Sequence, residues 1–341
     1  MSFWNKLKKP IIALAPMADV TDAAFRRVIA KYSKPDGPAV MFTEFVSADG
    51  LVLAPAKGRK KLLKDLEFSE SERPIEAQLF TGRPEIMRKA AGLIAELGFD
   101  GLDINMGCPD RSIEKSGAGA ALIKNPKLAR EIIKAAHVGA PNLPISVKTR
   151  IGYNRNEIST WISELLKENL SALTVHLRTR KEMSAVPAHW DLMPEIVEMR
   201  DKISPQTFIL GNGDVRNVSE AEEKVKLYGC DGVMLGRAVF GTPWLFSVAG
   251  SDLFVSRSDL GDSKRSDLES AKSQKLNILI EHTKLFEQLL GDAKDFSIMK
   301  KHFKAYVTGF DGAAELREKL MSAENSRRVE NLIKQFVDTY P

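Results

Sequence analysis

The chain has 341 residues, 43% of them hydrophobic and 28% charged, which suits a globular protein and excludes a fibrous or wholly disordered one. Its two cysteines are too few for a disulfide framework and lack the CxxC spacing of zinc ligands, so a reducing compartment and no metal are expected. The net charge of +5 is compatible with a polyanionic partner without requiring one.

The opening stretch, MSFWNKLKKPIIALAPMAD, runs from basic to apolar to small residues as a signal peptide does. Pro16 breaks the apolar run, however, and Asp19 closes it. No stretch approaches the roughly 20 apolar residues that span a bilayer. A cytoplasmic protein with no membrane partner is expected.

Eight short apolar runs follow in chain order, at 11–15, 39–45, 75–80, 101–107, 144–150, 172–178, 208–214 and 232–238. Most are nearly continuous in hydrophobic residues, as parallel strands buried on both faces are. Longer helical patterns separate them. RPEIMRKAAGLIAELGF has Pro84 in its first turn and Gly98 past its last, and NVSEAEEKVKLYG is a second such stretch. Eight such units over about 250 residues predict an α/β fold, a (β/α)8 TIM barrel, over residues 1–248. A doubly wound sheet would need a glycine-rich fingerprint after the first strand, where APMADVTD stands. Residues 249–270, rich in Ser and Asp, read as a linker, and 271–341 as a small C-terminal all-α helical bundle.

Polar residues gather at the trailing ends of the runs: Glu44, Gln78, Asn105, Cys108, Lys148, Arg150, His176, Arg178, Asn212, Asp214 and Arg237. That rim is where barrel enzymes build their active sites. LGNGD and LGRA end the seventh and eighth runs, where Gly213 and Gly236 would let the backbone approach a phosphate and Arg237 would add charge. Lys148 interrupts an apolar strand and needs an anionic or hydrogen-bonding partner, and His176 is a similar intrusion on the next strand. GAGAAL (117–122) lacks both the third small residue and the strand context of a dinucleotide fingerprint, and reads as a tight loop. Cys108 lies past a strand end, between Gly107 and Pro109. It is either a small buried hydrophobe or a rim thiol, protonated at neutral pH and able to donate a proton. Cys230 is assigned no role.

In order, APMADVTDAAFR, EAQLFTG, DINMGCP, VKTRIGY, VHLRTR, NGDV and GRAVFGTPWLF resemble the tRNA-dihydrouridine synthases. The C-terminal MKKHFKAYVTGFDGAAELREKLMSAEN is similar to that family's helical domain. The resemblance implies an FMN enzyme that uses NADPH as a transient reductant. It would reduce uridines in tRNA to 5,6-dihydrouridine, with hydride going to uracil C6 and Cys108 protonating C5. It further implies that Pro16, Met17 and Ala18 border the flavin, while Gln78 and Lys148 hydrogen-bond its polar edge and His176 supports it. Asn212, Gly213, Asp214, Gly236 and Arg237 would cradle its phosphate. Asn105 and Arg178 are candidates for holding the uracil, extruded from its stack. Arg111 and Lys115, with Lys300, Lys301, His302 and Lys304 of a helical RNA-binding domain, are candidates for the RNA backbone. Leu177 departs from the family, which usually shows glycine there. A monomer is expected. The rival readings are an FMN barrel acting on a free small molecule and an RNA-binding factor without catalysis.

Overall fold

Each of the eight apolar runs becomes a strand. In the computed structural model, which describes residues 2–247 and 265–339, these are β1 (Ile11–Leu14), β2 (Met41–Ser47), β3 (Ile75–Phe80), β4 (Gly101–Met106), β5 (Ile145–Arg150), β6 (Ala172–His176), β7 (Phe208–Asn212) and β8 (Gly232–Leu235). The strands pair in parallel in the order β1-β8-β7-β6-β5-β4-β3-β2. A parallel bridge between Ala13 and Val40, with Leu14 N–H donating to the Val40 carbonyl at 3.0 Å, joins the two ends of that order. The sheet thus closes as a (β/α)8 barrel. Local chemistry sets the crossover helices. Pro84 opens Pro84–Glu96, and the Asn217 side chain caps Val218–Tyr228 by accepting from Glu220 N–H at 2.8 Å.

Side chains fill the barrel interior. Trp4, Ile11, Ala13, Phe42, Leu210 and Met234 share one buried cluster. Trp4 is wholly buried and stacks on Phe208, ring centroids 6.0 Å apart. Since Phe208 opens β7 and Ile11 opens β1, the N-terminal 3-10 turn Phe3–Lys6 closes the barrel at the N-terminal ends of the strands.

The described residues form two compact units. The first takes the chain before Asp19 together with Ala39–Glu67 and Arg73–Arg237. The second takes Asp19–Pro38, Phe68–Glu72 and the described chain after Arg237. Membership therefore differs from a simple division near residue 248, because helix Ala23–Ser33 groups with the C-terminal helices. Ala23, Ala24 and Val28 share a buried cluster with Leu279, Phe286, Phe303, Leu320 and Ile333. A wholly buried ion pair between Arg26 and Glu72, 2.7 Å apart, ties in the short segment 68–72. The C-terminal helices are Arg265–Leu290, Lys300–Tyr306, Ala313–Met321 and Ser326–Thr339. The first of these begins inside the span expected to be a linker, whose residues 249–264 lie outside the described residues. Among the described residues no helix is long and apolar enough to cross a membrane.

His302 corrects one expectation. It is wholly buried, 4.6 Å from the ring of His282 and 4.8 Å from that of Phe25. Burial pulls its pKa down to about 3 and that of His282 well below the ordinary value, so both rings are neutral. A neutral, buried imidazole cannot meet an RNA phosphate. The pattern KKHFK reads as one basic face, but the helix turns His302 inward with Phe303 and leaves Lys301 and Lys304 outside.

Candidate active site

At the C-terminal ends of the strands lies a cavity of about 150 Å³ lined by Pro16, Phe45, Gln78, Asn105, Cys108, Lys148, Arg150 and His176, among others. Five of these were expected from the sequence to meet cofactor or substrate: Pro16, Gln78, Asn105, Lys148 and His176. Cys108 was expected to be the acid.

The loop carrying Cys108 is held from several sides. Asn105 Oδ1 accepts from the backbone N–H groups of Gly107 at 3.1 Å and Cys108 at 2.9 Å. Arg150 Nε donates to the Gly107 carbonyl at 2.9 Å, and Ala120 N–H donates to that of Cys108 at 2.9 Å. The Asp110 side chain then caps helix Arg111–Lys115. Arg180 donates to Glu114 and to the Pro109 carbonyl. Gly119 has φ +59°, and a Cβ there would stand 2.7 Å from the Cys108 carbonyl oxygen, so only glycine fits without displacing the loop. The GAGA stretch is thus a support for the Cys108 loop. The thiol is half-buried, and burial pushes its pKa above the ordinary 9.0, so it holds its proton at neutral pH.

Lys148 Nζ donates to Asn212 Oδ1 at 3.0 Å, and Asn212 Nδ2 donates to the Met234 carbonyl at 2.8 Å. An ammonium has three donors, and that is the single side-chain hydrogen bond Lys148 makes among the described residues. Burial, with Arg150 next, pulls its pKa down to about 8. His176 Nε2 lies 3.1 Å from Arg178 Nη1. Because guanidinium only donates, Nε2 accepts and the ring hydrogen sits on Nδ1. Burial, reinforced by the cations Lys148, Arg150, Arg178 and Arg237, holds His176 neutral.

Of the two residues expected to hold the uracil, Asn105 lines the cavity while also bracing its neighbours, and Arg178 is committed elsewhere in the protein. Asn105 spends its side chain on the Cys108 loop and on Gln78. Arg178, 2% exposed, donates to the Val186 carbonyl at 2.6 Å, to His176 and to Asp214, and does not line the cavity. It positions His176 and Asp214 instead. Asp214, at φ +58°, also accepts from Arg237 Nη2 at 2.7 Å. Its carboxylate suits holding the two arginines rather than meeting an anion itself. Gly213 has φ +133°, and a Cβ there would lie 2.7 Å from that of Ala188. Met17 is half-buried beside Gly236, and Ala18 is exposed. Arg111, Lys115 and Lys304 are exposed without ion pairs among the described residues, Lys300 is half-buried, and Lys301 pairs with Asp19 at 3.2 Å.

A buried acid chain runs beneath the site. Ser146 Oγ is 2.5 Å from both Glu76 Oε2 and Asp103 Oδ1. Trp4 Nε1 donates to Glu76 Oε1 at 2.8 Å, Gln78 Nε2 donates to Asp103 Oδ2 at 2.6 Å, and Asn105 Nδ2 donates to Gln78 Oε1 at 3.0 Å. A hydroxyl has one hydrogen, so one of the two Ser146 contacts needs a carboxyl proton. Burial, with the charge of Asp103 added, pushes Glu76 up to about 8, which makes it the proton carrier at pH 7. Burial raises Asp103 to about 6. A carboxyl raised on folding binds more protons folded than unfolded, so its contribution to stability falls as pH rises from about 4.5 through about 8. The stability of Glu76→Gln relative to wild type is therefore expected to improve steadily in urea titrations from pH 5 to pH 8. A flat difference would refute the shared proton.

A barrel whose C-terminal rim gathers a thiol, an ammonium and a neutral imidazole around one cavity is the architecture of a barrel enzyme. A family model for dihydrouridine synthase matches residues 13–340, and the chain belongs to that family. A "probable tRNA-dihydrouridine synthase 2" of Bacillus subtilis (strain 168) is 37% identical over 99% of this chain and 98% of its own length. A "probable tRNA-dihydrouridine synthase" of Staphylococcus aureus (strain COL) is 37% identical over 98% and 95%. Among solved structures, histamine dehydrogenase from Rhizobium sp. 4-9 has a TM-score of 0.52 at 11% identity, over 81% of this chain and 49% of that one. A 2-naphthoyl-CoA reductase complex has a TM-score of 0.53 at 12% identity, over 72% and 50%. These likenesses speak for the fold alone.

Proposed function

We propose that the protein reduces uridines in tRNA to 5,6-dihydrouridine in the cytoplasm, with FMN as cofactor and NADPH as reductant. The observation that carries the reading is the Cys108 thiol lining the same cavity as the half-buried Lys148 ammonium, whose one side-chain hydrogen bond among the described residues goes to Asn212. Family membership supports it.

The residues fit a flavin. Lys148 has hydrogen-bond donors to spare for an electron-rich ring edge. Gln78 lines the same cavity, and Pro16 offers an apolar border. Asn212, Gly213, Gly236 and Arg237 would hold the phosphate, with Asp214 orienting Arg237. When bound there, FMN reduced by NADPH would supply the hydride that uracil C6 takes up. The chain itself supplies the proton: Cys108 Sγ–H gives its hydrogen to C5. Asn105, Arg150 and Ala120 hold the loop so that the thiol need not reorganise during the transfer. His176, neutral and with its hydrogen on Nδ1, is a hydrogen-bond donor that adds no further positive charge.

Incubation of an unmodified tRNA transcript with the protein, FMN and NADPH tests the reading by mass spectrometry. A gain of two hydrogens at defined uridines is expected. A yellow protein that leaves RNA unchanged would point to a small-molecule oxidoreductase, and a protein that takes up no flavin would exclude both.

A further inference from the structure

Between β2 and β3 the chain makes an excursion through two helices, Ala48–Leu53 and Ala56–Asp65. The second, AKGRKKLLKD, buries none of its residues. It carries five cations (Lys57, Arg59, Lys60, Lys61 and Lys64) against one carboxylate, Asp65, in a chain whose whole net charge is +5. Lys57, Arg59, Lys60 and Lys61 are exposed and make no ion pair among the described residues. Exposed cations elsewhere do pair: Lys31 with Glu281, Lys202 with Glu198 and Arg216 with Glu220.

This helix works against itself. Lys57 and Lys61 are four residues apart, and like charges at that spacing cost about 0.2–0.5 kcal/mol; Lys64 is offset by its ion pair with Glu67 at 3.3 Å. The first turn holds cations and no acid, opposing the helix dipole. Gly58 costs about 1 kcal/mol more in a helix interior. A segment that is electrostatically unfavourable and contributes no core has no structural reason to carry this charge. A polyanion laid along it would turn each repulsion into an attraction. Its two leucines are half-buried and it has no aromatic residue, so it lacks the broad apolar face of a membrane-surface helix.

Its place in the barrel agrees. Ser47, the last residue of β2, caps helix Ala48–Leu53, and Phe45 two residues earlier lines the cavity. The excursion therefore leaves from the rim that carries Gln78, Asn105 and Cys108. Leu62 lies against Gly50, 2.4 Å from where a Cβ would be, so the basic helix leans on the one that starts at the rim.

We propose that helix Ala56–Asp65 is a contact surface for the backbone of the substrate RNA, with Lys57, Lys60 and Lys61, which share the face opposite Leu62 and Leu63, meeting phosphates. From Lys57 to Lys64 the helix is about 10 Å long, matching roughly three phosphates of one strand. The inference rests on RNA being the substrate.

The test is fluorescence anisotropy with a labelled, unmodified tRNA transcript across a series of salt concentrations. The variant joins Lys57→Gln, Lys60→Gln and Lys61→Gln; a charge-matched control joins Lys127→Gln, Lys134→Gln and Lys202→Gln. The first variant is expected to bind about tenfold more weakly or worse at 0.1 M salt, and its slope of log Kd against log salt is expected to fall by about 2 to 3. Its melting temperature should match or exceed that of wild type, since repulsion is relieved. Equal affinity and slope, or an equal loss in the control, would overturn the assignment while leaving the proposed reaction standing. A wild type that does not bind the transcript overturns the reaction as well. Loss of binding to phosphatidylserine vesicles with RNA affinity retained would make the helix a membrane contact and end the RNA assignment.

Discussion

Cys108→Ala is expected to lower the rate of dihydrouridine formation by about 10²- to 10⁴-fold, the usual worth of a positioned general acid. NADPH-driven flavin reduction and tRNA affinity should stay unchanged. The reasoning is local. Removing Sγ takes away a hydrogen and leaves every support of the loop in place, because those supports act on backbone groups of Gly107 and Cys108. Cys108→Ser should fall between the two, since a hydroxyl is a far weaker acid of similar size. Burial raises the wild-type thiol above its ordinary 9.0, so the rate should show no loss from thiol ionisation between pH 6 and pH 8. Single-turnover mass spectrometry of the tRNA, beside stopped-flow absorbance of the flavin, separates the two half-reactions. Retention of more than a tenth of the wild-type rate in Cys108→Ala would show that the proton comes from elsewhere.

Lys148→Met should weaken FMN binding by about 10- to 100-fold, as expected for loss of a charged hydrogen bond in a buried site. The side chain keeps its length and loses its ammonium. Asn212 keeps its bond to the Met234 carbonyl, so the phosphate end of the site should be spared. The wild type also predicts a pH dependence. Lys148 is pulled down to about 8, so the flavin-free protein carries the ammonium below that pH and loses it above. Flavin affinity should therefore decline from pH 7.5 to pH 9 in wild type and stay level in the variant. Fluorescence quenching of FMN on titration with protein measures both. A parallel decline in the two proteins would assign the dependence to another group.

The strands were legible because parallel barrel strands are buried on both faces and appear as unbroken apolar runs. All eight fall at or within a few residues of the expected places. Cys108, Lys148 and His176 were legible because each interrupts or ends such a run. What holds them was not. Arg150 grips the Gly107 carbonyl from 43 residues away, and Ala120 reaches Cys108 from a stretch set aside for lacking a nucleotide fingerprint. Residue type alone makes Arg178 look like a substrate ligand, and only the fold reveals that Val186, His176 and Asp214 occupy it. Glu76, Asp103 and Ser146 sit on three separate strands, each beside other polar residues such as Gln78, Asn105 and Lys148. Their shared proton exists only once the barrel aligns them. His302 was misjudged because a basic sequence neighbourhood conceals which way one ring turns.

The closing of the barrel at β1 sets an order of events during synthesis. β1 lies against β8, with Ile11 opposite Gly232 and Leu14 opposite Leu235, and Trp4 stacks on Phe208. Of the eight strands the first to leave the ribosome therefore waits for the last to gain its second lateral partner, and a nascent chain that ends before β8 leaves β1 with one edge unpaired. Until then no Phe208 ring backs Trp4 over Glu76. Chaperone dependence in cells should consequently concentrate on chains stalled or truncated before β8, and a circular permutant that joins β8 directly to β1 should move it to chains stalled before the permutant's own last strand.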